Sequence, residues 1–287
     1  MYVDSHCHLN FPELRSNLSE IRAAMATAGV DRALCICTTL EEFDDVHALA
    51  MDHDNFWCSA GVHPDNEDVR EPSVDDLLAL AARPRVVAIG ETGLDYCRLN
   101  GRTIAEMEWQ RERFRVHIRA ARATSLPLVV HTRSASDDTV AVLREEGAQA
   151  PGGVFHCFTE TEAVARAALD LGFYISFSGI LTFKTAQALR DVARFVPLDR
   201  CLIETDSPYL APVPFRGKTN SPAYVPLVAQ QIAALKGLSV EQIASATSAN
   251  FERLFKLPAL VAALALAPAL VPALATPAGN ANGLQSH

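Results

Sequence analysis

Five short stretches of the chain share one construction: an apolar run rich in β-branched residues stops at a histidine, glutamate or aspartate. They are Val3-Asp4-Ser5-His6-Cys7-His8, Val86-Val87-Ala88-Ile89-Gly90-Glu91, Leu128-Val129-Val130-His131, Val154-Phe155-His156 and Leu202-Ile203-Glu204-Thr205-Asp206. A strand buried on both faces reads as a near-continuous apolar run. Polar side chains at the carboxyl ends of such strands are how an α/β barrel assembles a site. The chain must therefore set several parallel strands side by side and bring the residues at their ends to one place.

Eight candidate strands centre on Val3, Cys35, Trp57, Val87, Val129, Val154, Ile175 and Leu202. Helical stretches are expected between them over 18–28, 41–51, 105–123, 137–146, 160–171 and 185–195. Gly29, Gly147 and Gly172 stop three of them, Pro197 lies just past another, and Thr39 is the expected N-cap of the second. Regular strand–helix alternation is the signature of a parallel α/β fold. Eight units favour a closed (β/α)8 TIM barrel over an open sheet, and no GxGxxG or P-loop pattern follows any strand. The 287 residues, 49% of them apolar, accommodate a barrel of about 250 residues. Two extra C-terminal helices are expected over 225–235 and 239–255. Residues 1–256 are thus expected to form the barrel domain. Residues 257–287 form an Ala/Leu/Pro-rich tail without a charged side chain. Pro258, Pro268 and Pro272 interrupt its apolar part, so a flexible extension is expected rather than a membrane span.

His6-x-His8 has strand period, so both imidazoles point the same way. Asp206 ends the eighth strand, the neighbour of the first in a closed barrel, and joins them around one ion. His131 and His156 end successive strands and are placed to hold a second. The two oxygens of Glu91 suit a bridge between ions about 3.5–4 Å apart. Four histidines and two carboxylates exceed a closed tetrahedral zinc site. They suit two divalent ions, with Zn, Mn, Mg, Ni and Fe all compatible with the donors. That points to hydrolysis by a metal-activated water, with Asp206 as general base and Glu91 as the shared carboxylate.

Period 2 puts Asp4 on the face of His6, and Glu204 on the face of Asp206. Buried acids need partners. The two are either a hydrogen-bonded core pair or a second layer that orients the ligand imidazoles. His63 sits above the third strand, and Arg133 and Lys184 lie in loops after the fifth and seventh. These three are the candidates to contact an anionic substrate group. The net charge of −9 gives no broad footprint for duplex nucleic acid. It leaves a polyanionic substrate open, because bound cations reverse the local sign. Seven cysteines, an odd number, and the lack of a secretory signal before Asp4 suggest reduced thiols of a cytoplasmic protein. Neither a membrane nor an obligate protein partner is expected.

Several motifs carry a family likeness. They are Asp4-Ser5-His6-Cys7-His8-Leu9, Gly61-Val62-His63-Pro64, Ile89-Gly90-Glu91-Thr92-Gly93-Leu94-Asp95-Tyr96, His131-Thr132-Arg133, Phe155-His156-Cys157-Phe158 and Glu204-Thr205-Asp206-Ser207-Pro208-Tyr209-Leu210. Together, over 4–255, the chain resembles the TatD-like metal-dependent deoxyribonucleases of the amidohydrolase-like barrel group. The resemblance implies a two-metal site on which His6, His8, Glu91, His131, His156 and Asp206 match the family's ligands. It implies hydrolysis of nucleic-acid phosphodiesters, often exonucleolytic on single-stranded DNA. Ester or amide hydrolysis within the same barrel group, for example deacylation of mischarged tRNA, is the alternative. With all six ligand positions filled, a barrel kept only as a scaffold is the weaker reading. The chain departs from the family at Asp65, where members often carry a second histidine, and at Thr159-Glu160, where they often carry Ser-Gly. Either acid at the mouth is expected to repel a phosphate.

Overall fold

Eight parallel strands pair in strict chain order. The computed structural model describes residues 1–257 and places the strands at β1 (Tyr2–Cys7), β2 (Val30–Cys35), β3 (Phe56–Ala60), β4 (Val86–Asp95), β5 (Leu128–Arg133), β6 (Gly153–Phe155), β7 (Tyr174–Phe177) and β8 (Cys201–Ile203). Each expected strand centre falls inside the matching strand. The ring closes just beyond β8: Asp206 N donates to His6 O at 3.0 Å and His8 N donates to Ser207 O at 2.9 Å. The hydrogen bonds that close this TIM barrel thus fix the backbone register of His6, His8 and Asp206.

The helices are α1 (Pro12–Arg15), α2 (Leu18–Thr27), α3 (Phe43–Asp52), α4 (Val74–Ala81), α5 (Glu108–Thr124), α6 (Ser136–Glu145), α7 (Glu162–Asp170), α8 (Gln187–Phe195), α9 (Val225–Lys236) and α10 (Val240–Leu254). α3 starts later than expected. Thr39 Oγ1 does accept from Glu42 N at 3.2 Å, but within the turn ahead of the helix, and Glu42 occupies the N-cap position. The sequence reading overlooked α4, which carries a capping box between Ser73 and Asp76.

Val3, Leu34, Val87, Val129, Val154, Tyr174 and Leu202 come from seven strands and form one apolar cluster with Phe251, Leu254 and Phe255. Side chains from strands all round a ring meet only inside it, so this cluster is the barrel interior, and α10 plugs its floor. Each large side chain buried there contributes roughly 1.5–3 kcal/mol. Leu257 packs on the same cluster and donates its backbone N–H to Glu252 O, so the ordered packing runs one residue past Lys256. The expected tail, from 258 onward, lies outside the described residues. A second cluster joins the outward faces of the strands to the surrounding helices, with Phe43, Leu49, Phe114 and Ile118 among its members. With the floor apolar and plugged, polar side chains collect at the carboxyl ends of the strands.

Candidate metal centre

One buried carboxylate organises that end. Glu91 Oε2 lies 3.3 Å from His6 Nε2 and 4.0 Å from His8 Nε2. Asp206 Oδ1 completes this set, 3.6 Å from His6 Nε2 and 3.3 Å from His8 Nε2. Glu91 Oε1 faces a different set: His156 Nε2 at 2.8 Å, His131 Nδ1 at 3.3 Å and His63 Nε2 at 3.3 Å. His131 Nδ1 and His156 Nε2 are 3.4 Å apart. The structure therefore brings all six ligand-type residues together, and adds His63, expected above the third strand as a contact for the substrate.

Local backbone features account for the convergence. The pairing of β4 with β5 shifts register between Ile89 and Thr92, which turns Glu91 into the ring. Gly93 has φ +126°, and a Cβ there would fall 2.0 Å from His131 O. Only glycine lets β4 press this closely on β5 and hold Glu91 level with His131. Asp206 sits at φ +57°, a left-handed conformation that aspartate tolerates better than most residues.

The rings of the second set are oriented from behind. His131 Nε2 faces Asp95 Oδ2 at 3.0 Å. His156 Nδ1 faces Glu204 Oε1 at 3.3 Å, and the same oxygen accepts from Cys157 N at 2.8 Å. Glu204 thus orients an imidazole, the second of the two readings offered for it. Asp4 follows neither reading. It accepts from Thr205 N at 2.9 Å, from the Thr205 hydroxyl and from His6 N at 3.2 Å, and so ties the β1–β8 seam without touching a ring. Burial pushes its pKa up to about 8 even though the Thr205 hydrogen bonds pull the other way. Asp95 escaped the sequence reading, although Glu91, Gly93 and Asp95 share one strand period. In the first set, His6 stacks on His156 with centroids 3.8 Å apart, and His8 stacks on Phe11 at 4.7 Å. Nδ1 of His6 and of His8 have no hydrogen-bond partner among the described residues.

Burial disfavours charge on these groups, yet Glu91 and Asp206 are both held below their ordinary values. The imidazoles of His156, His63 and His6 outweigh burial and hold Glu91 well below the usual carboxylate range. His8 and His6 do the same for Asp206. In return, Glu91 and Glu204 raise His156 well above its ordinary value against the pull of burial. These residues suit divalent cations on the chemistry of their donors. His131 Nδ1 and His156 Nε2 both face Glu91 Oε1, and each ring is backed by a carboxylate that would take the N–H of its far nitrogen when a cation holds the near one. Mixed imidazole–carboxylate donors suit first-row divalent ions.

The cluster opens into a cleft of about 610 Å³. Arg133 lines it, with Nη1 4.0 Å from Asp95 Oδ2. Lys184 does not. The 3₁₀ turn Gly179–Thr182 after β7 carries Ile180 to the cleft, while Lys184 lies beyond that turn and is exposed. Asp65 lines the cleft but is paired with Arg98 at 3.5 Å, which offsets its repulsion of an anion. Glu160 accepts from Ser136 Oγ at 2.7 Å and is absent from the lining, where Thr159 stands. Arg98, Phe11 and Tyr209, all in the lining, were not among the expected site residues.

A (β/α)8 barrel with a histidine–carboxylate cluster of this kind at the carboxyl ends of its strands defines a metal-dependent hydrolase. The chain belongs to the TatD family: the family profile described as "TatD related DNase" matches residues 3–256. It is 49% identical over 261 residues to the uncharacterized metal-dependent hydrolase YcfH of Escherichia coli K12, covering 90% of this chain and 96% of that protein. It is 37% identical over 242 residues to the 3'-5' ssDNA/RNA exonuclease TatD of Citrobacter rodentium, covering 82% of this chain and 90% of that protein. Among solved structures, the TatD homolog YJJV of Escherichia coli K12 superposes with a TM-score of 0.81 at 28% identity, covering 90% of this chain and 98% of that one. No helix among the described residues is long and apolar enough to cross a membrane.

Proposed function

We propose that the protein is a two-metal exonuclease that hydrolyses phosphodiesters of single-stranded DNA. The observation that carries this reading is the division of Glu91 between two sets of donors. Oε2 would serve one ion with His6, His8 and Asp206, and Oε1 a second with His131 and His156. Two such ions would supply Lewis acidity and would make water acidic enough to attack at neutral pH. Asp206 is held ionised and is the more open of the two cluster carboxylates that line the cleft, its side chain 15% exposed against 3% for Glu91. It takes the proton from the attacking water. Asp95 and Glu204 hold their imidazoles in place while this happens. The cleft walls support a nucleic-acid strand. Arg98 and Arg133, from the loops after β4 and β5, offer cations to phosphate. Phe11 and Tyr209, after β1 and β8 and so across the ring, pair edge to face 6.2 Å apart. An aromatic wall beside a cationic one is how single strands are held without reading their sequence. Seven free thiols favour a reducing compartment, and we assign the enzyme to the cytoplasm.

The test is digestion of 5′- and 3′-labelled single-stranded and duplex DNA by metal-stripped protein reloaded with single ion types. Stepwise release of mononucleotides from single strands is expected. Asp206→Asn should lower turnover about 10²–10⁴-fold, the usual contribution of a general base, while the His131–His156 side still takes up metal. Cleavage of aminoacyl esters with no phosphodiester cleavage by any ion would replace this reading with a deacylase. Near-wild-type turnover of D206N would remove the base assignment.

A further inference from the structure

Three imidazoles face Glu91 Oε1, but they differ in what stands behind them. Behind His131 and His156 stand carboxylates, which only accept hydrogen, so each ring can keep its proton on the far side and give its near nitrogen to a cation. Behind His63 stands a donor: Asp65 N–H points at His63 Nδ1 at 3.0 Å. Nδ1 must therefore be the accepting nitrogen, and the ring hydrogen resides on Nε2, 3.3 Å from Glu91 Oε1. The arrangement is held firmly. His63 N donates to Thr38 O at 2.9 Å. The buried Arg113 guanidinium donates to His63 O at 2.8 Å and to Asn66 O at 2.7 Å, fixing the turn that carries the Asp65 N–H. A backbone N–H has no other polarity to offer, so this tautomer is set by the fold.

Distance alone would group His63 with Glu91 and His131 as a metal ligand. The hydrogen argues otherwise, because a protonated ring nitrogen has no lone pair to give. We infer that His63 is a hydrogen-bond donor to the substrate rather than a metal ligand. Its Nε2–H, free of Glu91 once Oε1 is engaged by a cation, is directed at a non-bridging oxygen of the phosphodiester in the cleft it lines. A donor fixed in advance stabilises charge growing on that oxygen without reorganisation. The substrate half of this assignment rests on the phosphodiesterase reading, whereas the donor-not-ligand half does not.

Long-range ¹H–¹⁵N correlation of the imidazole nitrogens tests the tautomer in the unaltered full-length protein, metal-free and reloaded with zinc. The expected result is an unprotonated Nδ1 and a protonated Nε2 for His63 in both states. His63→Ala should keep the wild-type metal content and lose about 10²–10³-fold in kcat with KM little changed, as for loss of one oxyanion donor. His63→Asn, which retains an N–H, should recover part of that loss. A protonated Nδ1, a zinc-bound Nε2, loss of an ion from H63A or an unchanged kcat in H63A would each overturn the inference. Failure of the wild type to cleave any phosphodiester would defeat the proposed function, while the spectra and metal content would still decide whether His63 is a ligand.

Discussion

The two halves of the candidate metal centre are built by different means. Around Glu91 Oε2, the residues are placed by the backbone: strand period aligns His6 with His8, and the hydrogen bonds that close the barrel fix Asp206 beside them. Around Oε1, the imidazoles of His131 and His156 are aimed by acids behind them, Asp95 and Glu204. The first half is as rigid as the barrel seam. The second depends on side chains that can be changed one at a time without disturbing the ring. One cluster of ligand-type residues can therefore have one half that is structural in origin and one that is tunable.

The largest effect should come from the group both halves share. Glu91→Ala removes an oxygen from each, and elemental analysis should find neither ion at wild-type occupancy. Turnover should fall at least about a thousandfold, on the scale of several kcal/mol of lost charge stabilisation. Full retention of one ion would show that the halves are independent.

Glu204→Gln and Asp95→Asn should separate the halves. Each weakens the hold on one imidazole of the second set, at a cost of about 10–100-fold in metal affinity. Zinc titration should show one weakened and one unchanged binding step in each variant. Equal weakening of both steps would erase the distinction drawn here.

A third effect falls on stability rather than on metal binding and concerns the loop that carries His63. His117 is buried, its Nε2 accepting from Val62 N at 2.9 Å and its Nδ1 donating to Arg113 O at 2.8 Å. Burial lowers its pKa to about 4 from an ordinary 6.5. Because the folded value is the lower one, the unfolded chain binds the proton first as pH falls. This residue's contribution is intact above pH 6.5 and is lost progressively between 6.5 and 4, reaching about 3 kcal/mol. The wild type should therefore lose more melting temperature over that range than His117→Gln. Parallel pH profiles for the two proteins would remove His117 as a support of the loop.

The same contrast explains what the sequence made legible. An apolar run stopping at a polar residue is local in the chain, so five of the eight strands and the convergence of the six ligand-type residues could be anticipated from it. What escaped depends on non-local partners or on turns. Asp4 finds Thr205 across the seam, and no periodicity names that partner. The polarity of His63 is decided by the Asp65 N–H in a turn that Arg113 holds from α5. Lys184 is carried away from the cleft by a 3₁₀ turn that no loop charge foretells. Asp95 is the exception, because Glu91, Gly93 and Asp95 share one strand period along β4, the same local signal that marks Asp4 and Glu204.

On the proposed function, Glu91 joins the two halves through a shared pair of cations. The direct measurement is the location of the ions by anomalous X-ray scattering from crystals of the manganese-reloaded full-length protein. Two ions about 3.5–4 Å apart, each bound to one oxygen of Glu91, is the result predicted here. A single ion, or two ions of which only one contacts Glu91, would contradict it.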